Sequence, residues 1–318
     1  MSEFSIIEKY FSVLGKQRND VIKSVGDDAA LVDTSNTQSL AISVDTLIEG
    51  VHFPESTNPY DIGWKSLAVN LSDMAAMAAE PRWVTLALTL PKKDDNWLSE
   101  FSRGFSDLAE LYNVQLIGGD TTRGKLSISV QVIGNIPETG ALRRDQAQVG
   151  DSIYVTGFLG DAALGLKTLY ESLPLSDTEK QELLEKLNRP RPKVTESLKL
   201  ASYINAAIDI SDGLAADLSH ILKASQVAGL VDVNSVPVSC SYRWCNQFPQ
   251  SFDLALCGGD DYELCFTVAK DNEEKLMAEA EKLVLRCTKI GEISEGTGLT
   301  FMNGKNEYSV QQKSFDHF

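Results

Sequence analysis

The sequence predicts an α/β protein of two domains, and three observations predict it. The chain has 318 residues, 43% of them apolar, which is too long for one ordinary core and too apolar for disorder. Strand-like and helix-like hydrophobic patterns alternate along it. A polar stretch with Pro and Gly at its ends, PETGALRRDQAQVG over 137–150, breaks the pattern near the middle. Domains over 1–138 and 148–318 are therefore expected.

The elements follow in order. Residues 40–44 alternate weakly and end at Asp45, while LSISVQV over 126–132 alternates strictly, as a strand with one wet face should. Between these strands Leu67, Leu71, Met74, Ala75 and Ala78 recur at helical spacing until Pro81. Leu98, Phe101, Phe105, Leu108 and Tyr112 form a second helical stripe. Beyond the break, a strand over 153–155 runs into a glycine-containing turn. Helices are expected over 177–187, 214–222 and 273–283, with a strand over 262–268.

Composition excludes several classes of function. A formal net charge of -16 repels nucleic acid, an anionic membrane or a bare polyphosphate, so a polyanionic ligand must arrive with cations. Most of these carboxylates are simply a solvated surface. The start, MSEFSIIEKYF, lacks the basic residues and apolar stretch of a signal peptide, and no apolar run reaches the length of a membrane span. A cytoplasmic protein is expected. Cys240, Cys245, Cys257, Cys265 and Cys287 show no CxxC spacing and are expected to be reduced, structural thiols.

One feature recurs: a strand-like apolar run ending in aspartate beside Gly, Ser or Thr. It occurs in AISVDT (Asp45), QLIGGDTT (Asp120), AAIDISDG (Asp209 and Asp212) and LALCGGDD (Asp260 and Asp261). GDDAA (Asp27 and Asp28) and NLSD (Asp73) place further acids on an expected turn and an expected helix. Any one of these is first read as a turn or cap residue. Together they suggest strand ends converging on one ligand-binding crevice. Two like charges about 4 Å apart repel by roughly 4 kcal/mol at an effective dielectric near 20, so ionised aspartates so gathered need cations. Carboxylates, Ser43 and water are hard oxygen donors that suit magnesium or calcium, and magnesium sits between carboxylates and substrate phosphates.

GxxxxGK[ST], HExxH and the kinase HRD and DFG pair are all missing. TGFLGDAALGL over 156–166 is either a phosphate-facing helix start or a glycine turn with helix packing. His220 falls in a helical stripe and reads as structural, whereas His52, which follows an acidic strand end, is either structural or a ligand contact. Arg143 and Arg144 are either solvated linker charges or cations over a transferred phosphate.

Read in order, GDDAA, SVDTLIEGVHF, LAVNLSDMAAM, GGDTTRG, DISDGLAADLSHI and GGDDYELCFT resemble the thiamine-monophosphate kinase family over almost the whole chain. The resemblance implies the two-domain fold of the aminoimidazole-ribonucleotide-synthetase-like superfamily. Its N-terminal α/β domain binds ATP and magnesium and pairs its sheet across a homodimer. By motif position Asp28, Ser43, Asp45, Asp73, Asp120, Asp209 and Asp212 are implied ligands of several Mg2+ ions. Tyr112, Gly119, Asp120, Arg144 and Ser211 are implied contacts of ATP, and Arg144, Asp45 and Asp120 the catalytic groups. His52, Asp260 and Phe315 fall on the positions that bind thiamine monophosphate. The family's GGEDYE reads GGDDYE here, and Ser314-Phe315 replaces the usual glycine and Trp or Tyr before DHF.

The implied activity is ATP-dependent conversion of thiamine monophosphate to thiamine diphosphate, in thiamine diphosphate biosynthesis. The acceptor phosphate is largely dianionic at neutral pH and already nucleophilic, so direct in-line transfer without a general base is expected. The alternatives are another phosphotransferase of the superfamily, a Mg-dependent phosphohydrolase and a noncatalytic nucleotide sensor. Selenophosphate synthetase carries a reactive residue near its N-terminus, and here no cysteine precedes Cys240.

Overall fold

The computed structural model describes residues 9, 15–23, 31–32, 40–239, 241, 252–310 and 314. The chain divides into two compact units. One comprises Met1–Met74 and Ala79–Glu138, the other Ala75–Ala78 and Thr139–Phe318.

In the first unit, β1 (Val21–Lys23) pairs antiparallel with β2 (Leu31–Val32). Then follow β3 (Leu40–Ile48), α1 (Pro59–Ala76), β4 (Glu80–Leu90), α2 (Asp95–Leu111), β5 (Gln115–Arg123) and β6 (Ser127–Asn135). The last four strands form a sheet in the order β3-β6-β4-β5, parallel only between β4 and β5. β6 buries Ile128, Val130 and Val132 on one face, as strict alternation requires. The helical stripes are buried too: Leu67, Leu71 and Met74 on α1, and Leu98, Phe101, Phe105 and Leu108 on α2. Asp94 caps α2 by accepting the Trp97 N–H at 3.1 Å.

Two expectations for this unit are corrected. β4 was not foreseen: Pro81, read as a helix stop, belongs to a central strand. Asp45 and Asp120 are not at strand ends, because β3 runs on to Ile48 and β5 to Arg123. β3 is an edge strand, and its alternate residues Leu40, Ile42, Val44 and Ile48 are exposed, Val44 by 59%. Ala41, Ser43, Asp45 and Leu47 alternate with them and so lie on the other face.

The second unit contains β7 (Ser152–Thr156), α3 (Asp161–Thr168), α4 (Asp177–Asn188), α5 (Val194–Leu200), β8 (Ala206–Asp209), α6 (Leu214–Ser225) and β9 (Ala228–Asp232). It continues with α7 (Asp253–Cys257), β10 (Leu264–Val268), α8 (Glu273–Lys282), β11 (Cys287–Ser294), β12 (Gly298–Asn303) and β13 (Asn306–Glu307). Its sheet order is β13-β12-β9-β11-β7-β10-β8. The inner strands β7 and β10 and the edge strand β8 are buried throughout, and their Ile153, Val155, Ile208 and Cys265 join Leu214, Leu218 and Ile221 of α6 in one apolar core. LALC before Gly258, expected as a strand, is helical in α7. Among the described residues no helix is long and apolar enough to cross a membrane.

Candidate active site

The acidic residues of the first unit stand on regular elements. Ser43 and Asp45, two apart on β3, share the face that also carries buried Ala41 and Leu47. The Ser43 hydroxyl donates to Asp73 of α1 through a short hydrogen bond. One turn back on the same helix, Asn70 is fully buried; its Oδ1 accepts the Asp45 N–H at 3.1 Å and its Nδ2 donates to the Ser66 carbonyl at 3.1 Å. An edge strand leaves alternate N–H groups without a ladder partner, and Asn70 supplies one to Asp45. Ser43, Asp45 and Asp73 are thus brought together, with Asn70 as a member that motif reading did not single out.

Asp120 is not part of that set. Strand register aligns Asp45 with Val130, Val130 with Leu86, and Leu86 with Gly119. Asp120 is therefore on the opposite edge strand, three strand spacings or about 14 Å away along the sheet. The exposed Gly119 (φ +155°) is required by packing alone, since a Cβ there would stand 1.8 Å from the Leu86 carbonyl oxygen. Tyr112, half-buried, ends α2, its N–H donating to the Leu108 carbonyl at 3.2 Å. His52 sits in the turn after β3, where its Nδ1 accepts the Ile48 N–H at 2.9 Å.

In the second unit the functional candidates gather on a turn. β8 ends at Asp209, 4% exposed, and Ser211, Asp212 and Gly213 lead into α6. The GGDDYE segment lies directly against this turn: the Asp260 N–H donates to the Ser211 carbonyl at 2.9 Å, and the Tyr262 N–H to the Ile210 carbonyl at 2.8 Å. Asp260 (φ +69°) is held in the left-handed region, and its Oδ1 accepts from the Tyr262 hydroxyl at 3.1 Å. Asp209, Ser211, Asp212 and Asp260 are therefore neighbours. Asp217, in the first turn of α6, was not anticipated. Its Oδ2 accepts the N–H groups of Ser211, Asp212 and Gly213 at 3.0, 3.1 and 3.1 Å. Burial and the charge of Asp212 push its carboxyl up to about 7, against the lowering effect of those donors. The Ser211 N–H is committed to Asp217, so its hydroxyl is the one donor it could offer to phosphate.

Three further candidates are placed differently. Arg144 is exposed on the single helical turn Arg144–Gln146; its neighbour Arg143 forks onto Asp145, which holds that carboxyl below its usual range. The start of α3 is already filled, since the Gly160 N–H donates to Asp261 Oδ2 at 2.8 Å, which favours the packing reading of that glycine turn. His220 is exposed on α6. Asp28 and Phe315 lie outside the described residues. Ser314 lines an open hollow of about 430 Å3 together with Ala215, Ser219, Cys257, Phe301 and Tyr308.

The donor set fits magnesium. It consists of carboxylate and hydroxyl oxygens, the hard donors such a cation takes. Magnesium is commonly bound by one or two carboxylates plus substrate phosphates and water, whereas calcium asks for a fuller protein cage.

Two units of this architecture, each carrying candidate aspartates, are matched by one class of protein. Residues 26–136 match the family model for the AIR synthase related protein N-terminal domain, and residues 148–302 that for its C-terminal domain. The Salmonella typhimurium thiamine-monophosphate kinase is 45% identical over 318 residues, covering 99% of this chain and 98% of the relative. The crystal structure of the Stenotrophomonas maltophilia thiamine-monophosphate kinase is 46% identical with a TM-score of 0.85, covering 91% of this chain and 93% of that one. AaThiL complexed with AMPPCP and TMP is 32% identical with a TM-score of 0.79, over 93% and 92% of the two chains. The chain belongs to the AIR synthase related family and, within it, to the thiamine-monophosphate kinases.

Proposed function

We infer that this chain transfers the γ-phosphate of ATP to thiamine monophosphate, giving ADP and thiamine diphosphate. The observation that carries the reading is full-length similarity to thiamine-monophosphate kinases, one of them solved with AMPPCP and TMP. An oxygen of the acceptor phosphate attacks the γ-phosphorus, the bond to the β–γ bridging oxygen breaks, and ADP leaves with that electron pair. A dianionic acceptor needs no general base and no enzyme nucleophile, so transfer is direct and in line.

The difficulty is bringing two anions together, and the chain's own residues would answer it. Asp28, Ser43, Asp45, Asp73, Asp120, Asp209 and Asp212 would hold Mg2+ ions that, when bound, supply counter-charge to the transferring phosphoryl group. The spread between Asp45 and Asp120 favours several ions over one. Arg144 would add a cation, with Tyr112, Gly119 and the Ser211 hydroxyl as further ATP contacts. His52, Asp260 and Phe315 would receive the acceptor.

In this reading residues 1–138 form the ATP- and Mg-binding domain and 148–318 the C-terminal domain of a cytoplasmic enzyme. Leu40, Ile42, Val44 and Ile48 form an apolar row on an edge strand, which a second copy would cover in a homodimer. Incubation with ATP, Mg2+ and thiamine monophosphate should give thiamine diphosphate and ADP in equal amounts. ADP with inorganic phosphate and no thiamine diphosphate would mark a hydrolase, and no turnover would leave only a binding protein.

A further inference from the structure

The turn that carries Ser211 and Asp212 has an unusual support. Three consecutive N–H groups point at one oxygen of Asp217, a side chain 3% exposed. Successive N–H groups of this kind make an anion-binding concavity, and here the protein fills it with its own carboxylate. Gly213, which precedes α6, has no side chain to cap the helix, and at φ +111° a Cβ would stand 2.7 Å from the Cys257 carbonyl carbon. No other residue type fits there, so Gly213 offers no capping side chain, and its own N–H goes with those of Ser211 and Asp212 to Asp217. Among the described residues no lysine or arginine forms a salt bridge with Asp217, and its Oδ2 is held by those three N–H groups.

A turn tied only through its side chains would let Asp212 swing. With N–H groups 211, 212 and 213 all fixed to one buried oxygen, and the Ser211 carbonyl fixed to the Asp260 N–H, the backbone on both sides of Asp212 is held. We propose that Asp217 is a positioning residue: it holds the Ser211–Gly213 backbone in the geometry that directs Asp212, beside Asp209, at a divalent cation. This rests on the reading of Asp209 and Asp212 as metal ligands. The role is distinct from theirs, since Asp217 acts through an Oδ2 already engaged with three backbone donors.

The test uses the full chain and Mn2+ alone, with binding followed by the loss of the free Mn2+ resonance well below the unfolding temperature. Asp217→Asn keeps the shape and loses the charge, whereas Asp217→Glu keeps the charge and moves it by one methylene. Both should bind Mn2+ at least about tenfold more weakly, and in both the amides of residues 211–213 should exchange with deuterium far faster than in the unaltered chain. Fast exchange at those amides with Mn2+ binding unchanged would overturn the proposal. So would a loss of Mn2+ binding in Asp217→Asn alone, since that is the signature of charge without position. Asp212→Asn separates the two readings: if it binds Mn2+ as the unaltered chain does, the metal assignment fails, whereas loss there with full binding in both Asp217 variants fails the positioning role only. Should neither Asp217 variant fold, exchange in the unaltered, metal-free chain still decides, because amides 211–213 must be protected before any metal is added.

Discussion

The two units present their aspartates in opposite ways. In the N-terminal unit Ser43, Asp45 and Asp73 project from a strand and a helix whose backbones are fixed by their own hydrogen bonds, and a neutral amide, Asn70, ties the two together. In the C-terminal unit Asp212 sits on a turn, and a buried carboxylate, Asp217, takes that turn's N–H groups. Regular structure needs little extra support, so one amide between helix and strand is enough. A turn brings no ladder of its own, and one buried carboxyl oxygen takes three of its N–H groups at once.

The largest effect should come from removing a charge on the regular side. Asp45→Asn should lower kcat/KM at least about 100-fold, corresponding to roughly 3 kcal/mol of transition-state stabilisation, while the thermal midpoint stays close to that of the unaltered chain. A variant of full activity would remove Asp45 from the site; one that merely melts early would return it to a structural role.

Asn70→Ala should act on stability as well. It leaves the Asp45 N–H and the Ser66 carbonyl without their buried partner, a loss of about 1–3 kcal/mol in a denaturant titration. Activity should fall less than in Asp45→Asn, by about tenfold, because the ligand remains and only its strand is loosened. Equal losses of activity in the two variants would mean that Asn70 contacts the reacting groups itself. Ser43→Ala is expected to be milder still, below about tenfold in kcat/KM, since it removes one neutral oxygen and frees Asp73 from a hydrogen bond.

How much of this was legible in the sequence follows from the range of each signal. The alternation of LSISVQV and the stripe from Leu98 to Leu108 are local patterns, and both gave the right element. β4 was missed because Pro81 opens it and reads as a stop, although WVTLALTL is rich in residues that favour strands. LALC was misread because a short apolar run looks alike as helix or strand. Asp45 and Asp120 seemed to close their strands because a charged residue interrupts each apolar run, whereas Thr46, Leu47 and Ile48 continue the one ladder and Thr121, Thr122 and Arg123 the other. Asn70 holds a partner 25 residues away, and no spacing rule reveals such a contact. Asp217 did carry a signal, an acid four residues after Gly213 in the first turn of a helix.

The smallest effect is expected from the thiols. Burial raises the carboxylate-flanked Cys287 to about 12 and Cys257 and Cys265 above their ordinary value, so little thiolate is present at neutral pH. Iodoacetamide should leave these three unmodified in the folded chain at pH 7.5, as peptide mass analysis would show. Activity should persist in a variant lacking all three, apart from packing losses. Rapid alkylation of Cys257, which lines the hollow beside Ser314, would place it within reach of solvent.

The most direct test of the account is the route of the phosphoryl group. The chain would be given ATP made chiral and isotopically labelled at its γ-phosphorus, with Mg2+ and thiamine monophosphate, and the configuration of the terminal phosphate of thiamine diphosphate determined. A single in-line displacement by the acceptor phosphate predicts inversion, with one labelled product for each ADP formed. Retention of configuration, or label found on the protein and passed on at a competent rate, would contradict direct transfer and require an enzyme nucleophile that this account does not contain.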